Sequence, residues 1–249
     1  MQTHVEPRNN APVFAGDSLP EEVAASLWMQ QEVQAGRAVP VAEADIVLAA
    51  LRAAMRRSGT LIPMAVGDGG GFHAVHAVNV AVLAMAIADD QKFDEDAVRK
   101  VGGAALLHDV GMWRLPNTLV AKQGALTDAD RKLIKQHPVE GARLILAADA
   151  TLDLAAVVAY EHHVRADGSG YPRFHYARAT HYISRLVQVC DVFHALHSPR
   201  PFRKSWPLEF VLSFMNERAG FEFHPGLVEA LSRTVERGGL QASPVTIPA

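Results

Sequence analysis

The stretch His73–Ala88, HAVHAVNVAVLAMAIA, decides the fold. It is apolar nearly all the way round a helical projection, and a helix without a polar face belongs at the centre of a packed bundle. On both sides of it the sequence keeps a helical period. Upstream, Ser18-Leu19-Pro20-Glu21 reads as a capping box with proline in the first turn, opening a helix that runs to about Ala35. Gly36 and Pro40 punctuate it. A second helix is predicted over Ala42–Arg57, with Ile46, Leu48, Ala49, Leu51 and Met55 inward and Arg52, Arg56 and Arg57 outward. Downstream, Asp94 caps a helix that ends near Leu107. Thr127-Asp128-Ala129-Asp130 opens another, whose inward face carries Leu133, Ile134, His137, Gly141, Leu144 and Ile145. Further helices are expected at about 151–163, 179–197, 207–218 and 225–236, and alternating strands are scarce. The fold class is all-α, a helical bundle with a small N-terminal helical segment. Gly67-Asp68-Gly69-Gly70-Gly71 marks a break, so the expected division is an arm at 1–17, a helical segment at 18–60, a main domain at 61–240 and a tail at 241–249.

Of 249 residues, 24 are Lys or Arg and 27 are Asp or Glu, which leaves a formal charge of −3. That balance argues against a nucleic-acid polymer or a polybasic membrane surface as partner. A hydrophobic share of 49% is enough for a sizeable core and excludes disorder of the whole chain. The single cysteine, Cys190, excludes a disulfide framework and thiolate-rich zinc sites. The longest unbroken apolar run, Val80–Ala88, is far shorter than the ~20 residues that span a bilayer. Met1–Pro7 lacks the basic and apolar regions of a signal peptide. The expectation is a cytoplasmic protein. Composition leaves the twelve histidines unexplained.

Several of them fall where a core is expected. His76 lies in the central apolar helix, and His108-Asp109 ends the run Val101–Leu107. His137 sits on an inward helix face, His162-His163 ends another helix, and Asp191 follows Val187-Gln188-Val189-Cys190. A single buried histidine is more often bonded to a carbonyl than to a metal. So many ionisable groups together are costly to bury unless something pairs with them, and a divalent cation does so most simply. Imidazole and carboxylate donors without thiolate suit iron, manganese, zinc or nickel rather than calcium or magnesium.

The order of these residues resembles the H…HD…D signature of the HD phosphohydrolase superfamily. His162-His163-Val164-Arg165-Ala166-Asp167-Gly168-Ser169-Gly170-Tyr171-Pro172 is similar to the HHExxDGxGYP motif of its HD-GYP family. His76–Ala81, Leu126-Thr127, His137–Gly141 and Arg200-Pro201-Phe202-Arg203 match the remaining blocks in order, over about residues 70–230. The resemblance implies an HD-domain bundle that hydrolyses cyclic di-GMP to pGpG and onward to GMP. It implies one metal held by His76, His108, Asp109 and Asp191, and a second held by His137, His162 and His163, with Asp109 bridging. The cofactors implied are two divalent transition-metal ions, iron first, with manganese, nickel or zinc as alternatives. Two cations ~3.5–4 Å apart can share a hydroxide and clamp a phosphate oxygen during in-line attack. Asp109 and His108 are the candidate catalytic residues. Arg200, Arg203 and Tyr171 are the candidate substrate contacts, with a solvated turn as the alternative for the arginines and packing beneath the GYP loop for Tyr171. Arg165 and Asp167 read as a pair shaping this loop, and Lys122 as part of a structural turn.

The chain departs from the family pattern at three places. Met112 stands where HDxGK has its lysine, which removes a cation from beside the phosphate. Val164 replaces the glutamate after the paired histidines, which would loosen the GYP loop or a hydrogen bond behind the metal ligands. Phe72 occupies the position where three-metal members carry a ligating glutamate, so two metals are expected, with His73 nearby. The leading reading is a metal-dependent cyclic di-GMP phosphodiesterase, slow because of Met112, acting through a metal-bridging hydroxide. The second is a degenerate member that binds metal and cyclic di-GMP as a sensor or interaction module, and the third an HD phosphohydrolase for another nucleotide. Cyclic di-GMP is the expected partner, with a second copy of the chain or a signalling protein as further candidates.

Overall fold

Helix α3 (Phe72–Asp90) runs through the core and is buried continuously from Ala74 to Met85. The computed structural model describes residues 21–58, 72–120, 122, 124–174, 179–198 and 204–237. The predicted N-terminal arm and Ser18–Pro20, the Gly67–Gly71 break, Arg200 and Arg203, and the C-terminal tail lie outside them. Before α3 come α1 (Glu21–Gln34) and α2 (Val41–Ser58). After it come α4 (Glu95–Leu106), a 3₁₀ turn (Val110–Arg114), the short α5 (Asn117–Val120), α6 (Asp128–Ile134), α7 (His137–Ala148) and α8 (Asp153–Glu161). Helices α9 (Tyr182–His197), α10 (Leu208–Glu217) and α11 (Pro225–Arg237) follow. The described residues contain no strand, and the all-α expectation holds.

By length and composition α3 could cross a bilayer, which the count of unbroken apolar residues missed because His76 and Asn79 interrupt it. Its burial among α1, α4, α9 and α11 is that of a core helix. Local signals set the ends of its neighbours. Asp94 caps α4 by accepting the Ala97 N–H at 2.8 Å, and Thr127 with Asp130 forms a full capping box on α6. A cap of this kind contributes about 1 kcal/mol.

Several expectations change: Ala49 and Leu133, expected inward, are exposed, and two further differences have a clear cause. Ile46 faces solvent, because the buried stripe of α2 is Ala44, Val47, Leu48 and Leu51, and Ile46 lies on the opposite face. Arg52 is partly buried and fixes this rotation by pairing with Asp89 on α3 and Glu95 on α4. The helix predicted from Thr127 through Ile145 is two helices. Pro138 has no N–H to offer the carbonyl of Ile134, four residues back, so the ladder breaks between α6 and α7. The carbonyl so released becomes part of the site.

Candidate metal centre

Three histidines are oriented by the same local device. His108 Nδ1 bonds the carbonyl of Ala105 at 2.7 Å, His137 Nδ1 that of Ile134 at 2.7 Å, and His162 Nδ1 that of Ala159 at 2.9 Å. Each partner lies three residues back, at a helix end whose last carbonyls have no intrahelical donor. A carbonyl can only accept, so Nδ1 carries the proton and Nε2 presents a lone pair. Helix termination in α4, α6 and α8 thus orients core histidines so that each could offer a lone pair to a metal.

Asp109 stands among them. Its Oδ1 lies 3.2 Å from His137 Nε2 and 3.5 Å from His162 Nε2, and its Oδ2 lies 3.7 Å from His108 Nε2. The approach depends on Gly111: a Cβ there would lie 2.0 Å from the carbonyl oxygen of His137. Only a residue without a side chain lets the 3₁₀ turn press against α7 so closely, and that contact brings Asp109 to His137.

The donors form two groups that share Asp109: Asp109 with His137, His162 and His163, and Asp109 with His76 and His108. Asp191, on α9, adjoins the second group with Oδ1 3.1 Å from His76 Nε2. The donor set fits a cation. His137 Nε2 and His162 Nε2 stand 3.2 Å apart beside a carboxylate oxygen, and His108 Nε2 is buried with no hydrogen-bond partner. Lone pairs so placed repel unless a proton or a metal sits among them.

The electrostatics follow. Burial pushes His108 down to about 4 and, with the neighbouring His162, holds His163 well below its ordinary value. Burial opposes protonation of His162 too, but the hydrogen bond and charge of Asp109 lift it above the usual value. Burial alone would raise both carboxylates. The surrounding imidazoles outweigh it, through His108, His137 and His162 for Asp109 and chiefly His76 for Asp191, and hold both below the usual range. Neutral His108 and His163 beside ionised carboxylates are in the protonation states that ligate metal, and a cation would take the place of the proton that Asp109 favours on His162.

A family model described as HD domain matches residues 49–227. The chain belongs to the HD domain family. Its GYP block and its relatives place it in the HD-GYP branch. A cyclic di-GMP phosphodiesterase of Pseudomonas aeruginosa is 31% identical over 216 residues, covering 85% of this chain and 51% of the relative. A cyclic di-GMP phosphodiesterase response regulator of Xanthomonas campestris pv. campestris is 35% identical over 148 residues, covering 59% of this chain and 39% of the relative. The chain therefore spans about half of the first relative's length and less of the second's. The solved structure of Bd1817, an HDG"Y"P protein of Bdellovibrio bacteriovorus, superposes with a TM-score of 0.65 at 17% identity, over 86% of this chain and 69% of that one. It shares the fold.

In this HD domain the donors open into a cleft of about 330 Å³. Phe72, His73, Met112, Ile134, Tyr171, Val192 and Leu196 line it beside His76, Asp109, His137, His163 and Asp191. No lysine or arginine among the described residues lines it. Arg114, two residues after Met112, donates instead to the carbonyl of Val33 at 2.9 Å. Lys135 Nζ lies 5.6 Å from the centre of the Tyr171 ring, at the edge of the site. His73 stands outside both donor groups, with its ring edge-on to Phe72. The Tyr171 ring lines the cleft and also packs on His163, their centroids 4.6 Å apart.

The GYP loop of the HD domain is held by its backbone. The N–H groups of Ala166 and Asp167 donate to the carbonyls of Glu222 and Phe221, at 3.1 and 3.0 Å. Val164 is buried and its carbonyl accepts from Gln188 at 3.2 Å, so the loop is anchored without a glutamate there. Arg165 pairs with Glu222 at 3.2 Å, while the Asp167 carboxylate accepts the N–H of Ser169 at 2.9 Å, in place of the expected Arg165–Asp167 pair. Lys122 pairs with Asp130, in keeping with a structural turn. Two residues escaped the sequence reading. Glu161 is buried and accepts from the His181 N–H at 2.7 Å and the Ser184 hydroxyl at 2.8 Å, tying the end of α8 to the start of α9. His194, one helical turn beyond Asp191, meets His76. Its spacing from Asp191 was the available signal.

Proposed function

We propose that this HD domain is a metal-dependent phosphodiesterase that cleaves cyclic di-GMP to pGpG, and onward to GMP, with slow turnover. One observation carries the reading: a single carboxylate, Asp109, is shared by two groups of imidazole donors whose lone pairs converge. His76, His108, Asp109 and Asp191 would hold one ion, and Asp109, His137, His162 and His163 the other, iron being the first candidate. When bound, such ions supply a nucleophile at neutral pH and positive charge for the phosphate.

The chain supplies position. The carbonyls of Ala105, Ile134 and Ala159 fix the imidazoles before anything binds, so little reorganisation is left for the reaction. Phe72 and Tyr171 line the same cleft, where Tyr171 would contact the nucleotide, and Arg200 and Arg203 would grip phosphate. The names of the Pseudomonas and Xanthomonas relatives support the substrate class. Met112 in the cleft, with no described cation beside it, is the reason for slow turnover.

That same feature favours a second reading, a sensor that binds the nucleotide without cleaving it. Metal-loaded protein is incubated with cyclic di-GMP, the nucleotides are separated, and binding is measured by calorimetry. Linear product that disappears in Asp109→Ala supports the enzyme. Binding without product supports the sensor, and neither binding nor product overturns both.

A further inference from the structure

We infer that His194 is a positioning residue that accepts the Nδ1 proton of His76 when His76 Nε2 ligates, and so sets the affinity of one of the two metal positions. The inference rests on the two-metal reading above. His76 Nδ1 and His194 Nδ1 lie 2.8 Å apart, and His194 Nε2 lies 2.8 Å from the Ser198 hydroxyl. All three residues are buried, at 3%, 6% and 8% exposure, so none of these nitrogens trades its partner freely for water.

Unlike His108, His137 and His162, whose Nδ1 atoms face carbonyls, His76 faces another imidazole. A carbonyl dictates where the proton sits; an imidazole does not, because either ring can be the donor. Ligation decides between the two arrangements. The nitrogen of His76 on the Asp191 side is Nε2, so that atom must present the lone pair. The proton then sits on Nδ1 and is donated to His194 Nδ1. His194 must carry its own proton on Nε2 and donate it to Ser198 Oγ. In the reverse arrangement His194 donates to His76, and the proton on His76 Nε2 points at Asp191 and blocks the metal. Ser198 Oγ can accept from His194 Nε2 in the first arrangement and donate to it in the second, so it supports the acceptor role that His194 takes once His76 Nε2 ligates. Groups that orient a metal-bound histidine in this way change metal affinity by about 10- to 100-fold when removed.

Two substitutions separate positioning from simple packing. In His194→Asn the amide oxygen stands as many bonds from Cβ as Nδ1 did, so the acceptor for His76 is kept and the Ser198 contact is lost. In His194→Gln the amide reaches where Nε2 was, so Ser198 is kept and His76 loses its acceptor. Manganese(II) is titrated by calorimetry into the full chain stripped of metal. Wild type and His194→Asn are expected to bind two ions, while His194→Gln keeps one and binds the other 10- to 100-fold more weakly. Equal losses in both variants, or none in either, overturn the positioning role. Histidine ¹⁵N spectra of the metal-free wild type provide a readout that needs neither a variant nor a metal. They are expected to show one proton held between His76 Nδ1 and His194 Nδ1, and the absence of that shared proton overturns the inference. Folded wild type that binds no manganese removes the two-metal reading instead, and the ¹⁵N spectra then judge the His76–His194 bond on its own.

Discussion

Replacing Gly111 with alanine tests the contact that assembles the site. The new Cβ would lie 2.0 Å from the carbonyl oxygen of His137, 2.7 Å from the nitrogen of Gly141 and 2.9 Å from the carbonyl carbon of His137. Ordinary contact begins near 3.4 Å, so the 3₁₀ turn and α7 must separate by about 1.4 Å. Overfilling a core costs about 1–3 kcal/mol when flexible side chains give way. Here the obstructing atoms are backbone, which places the cost at the upper end, about 3 kcal/mol. For a chain of this size each kcal/mol lowers Tm by about 2–4 °C, so a fall of about 6–12 °C is expected in the metal-free protein. The same retreat, passed to Asp109 two residues earlier, breaks its 3.2 Å approach to His137 Nε2, and metal content should fall as well. The control is Gly103→Ala, whose Cβ meets Leu48 at 3.4 Å and should be tolerated. Calorimetric melting and elemental analysis of both variants decide the matter. A Gly111→Ala protein that melts within about 2 °C of wild type and keeps its metal would refute the reasoning.

Asp109→Ala should lose both metals together, because the two donor groups share that carboxylate, and elemental analysis that finds one ion retained would show the groups to be independent. Met112→Lys should raise kcat more than it tightens binding, since charge builds in the transition state and one preorganised cation is worth about 10²–10³ in rate. Brisk wild-type turnover, or no gain in the variant, would mean that another group already supplies the charge. Arg200→Ala and Arg203→Ala should each weaken cyclic di-GMP binding by about 1.5–3 kcal/mol without changing metal content, and unaltered calorimetric affinity in both returns them to a solvated turn.

Much of the fold was legible because its signals are local. The caps at Asp94 and Thr127 and the apolar surface of α3 are written in consecutive residues, and the structure keeps them. The break at Pro138 was equally local but was masked by an apolar period that runs through it. The rotation of α2 could not be read, since apolar residues occur on both of its faces and the partners of Arg52 choose between them from helices distant in sequence.

The sequence by itself determined which residues could do chemistry. Their types and order name the candidate donors, whereas the close backbone approaches are set by packing: a Cβ would lie 2.0 Å from the His137 carbonyl oxygen at Gly111 and 2.2 Å from that of His163 at Gly170. Only the tertiary structure decided how those donors are grouped and which partner orients each. Asp109 meets imidazoles from α7 and α8, His76 meets His194 across 118 positions of sequence, and Arg165 meets Glu222 rather than Asp167. The physical reason is range. Helical propensity and capping act over three or four residues, whereas a lone pair or a charge takes whatever partner the packing of whole helices brings within about 3 Å.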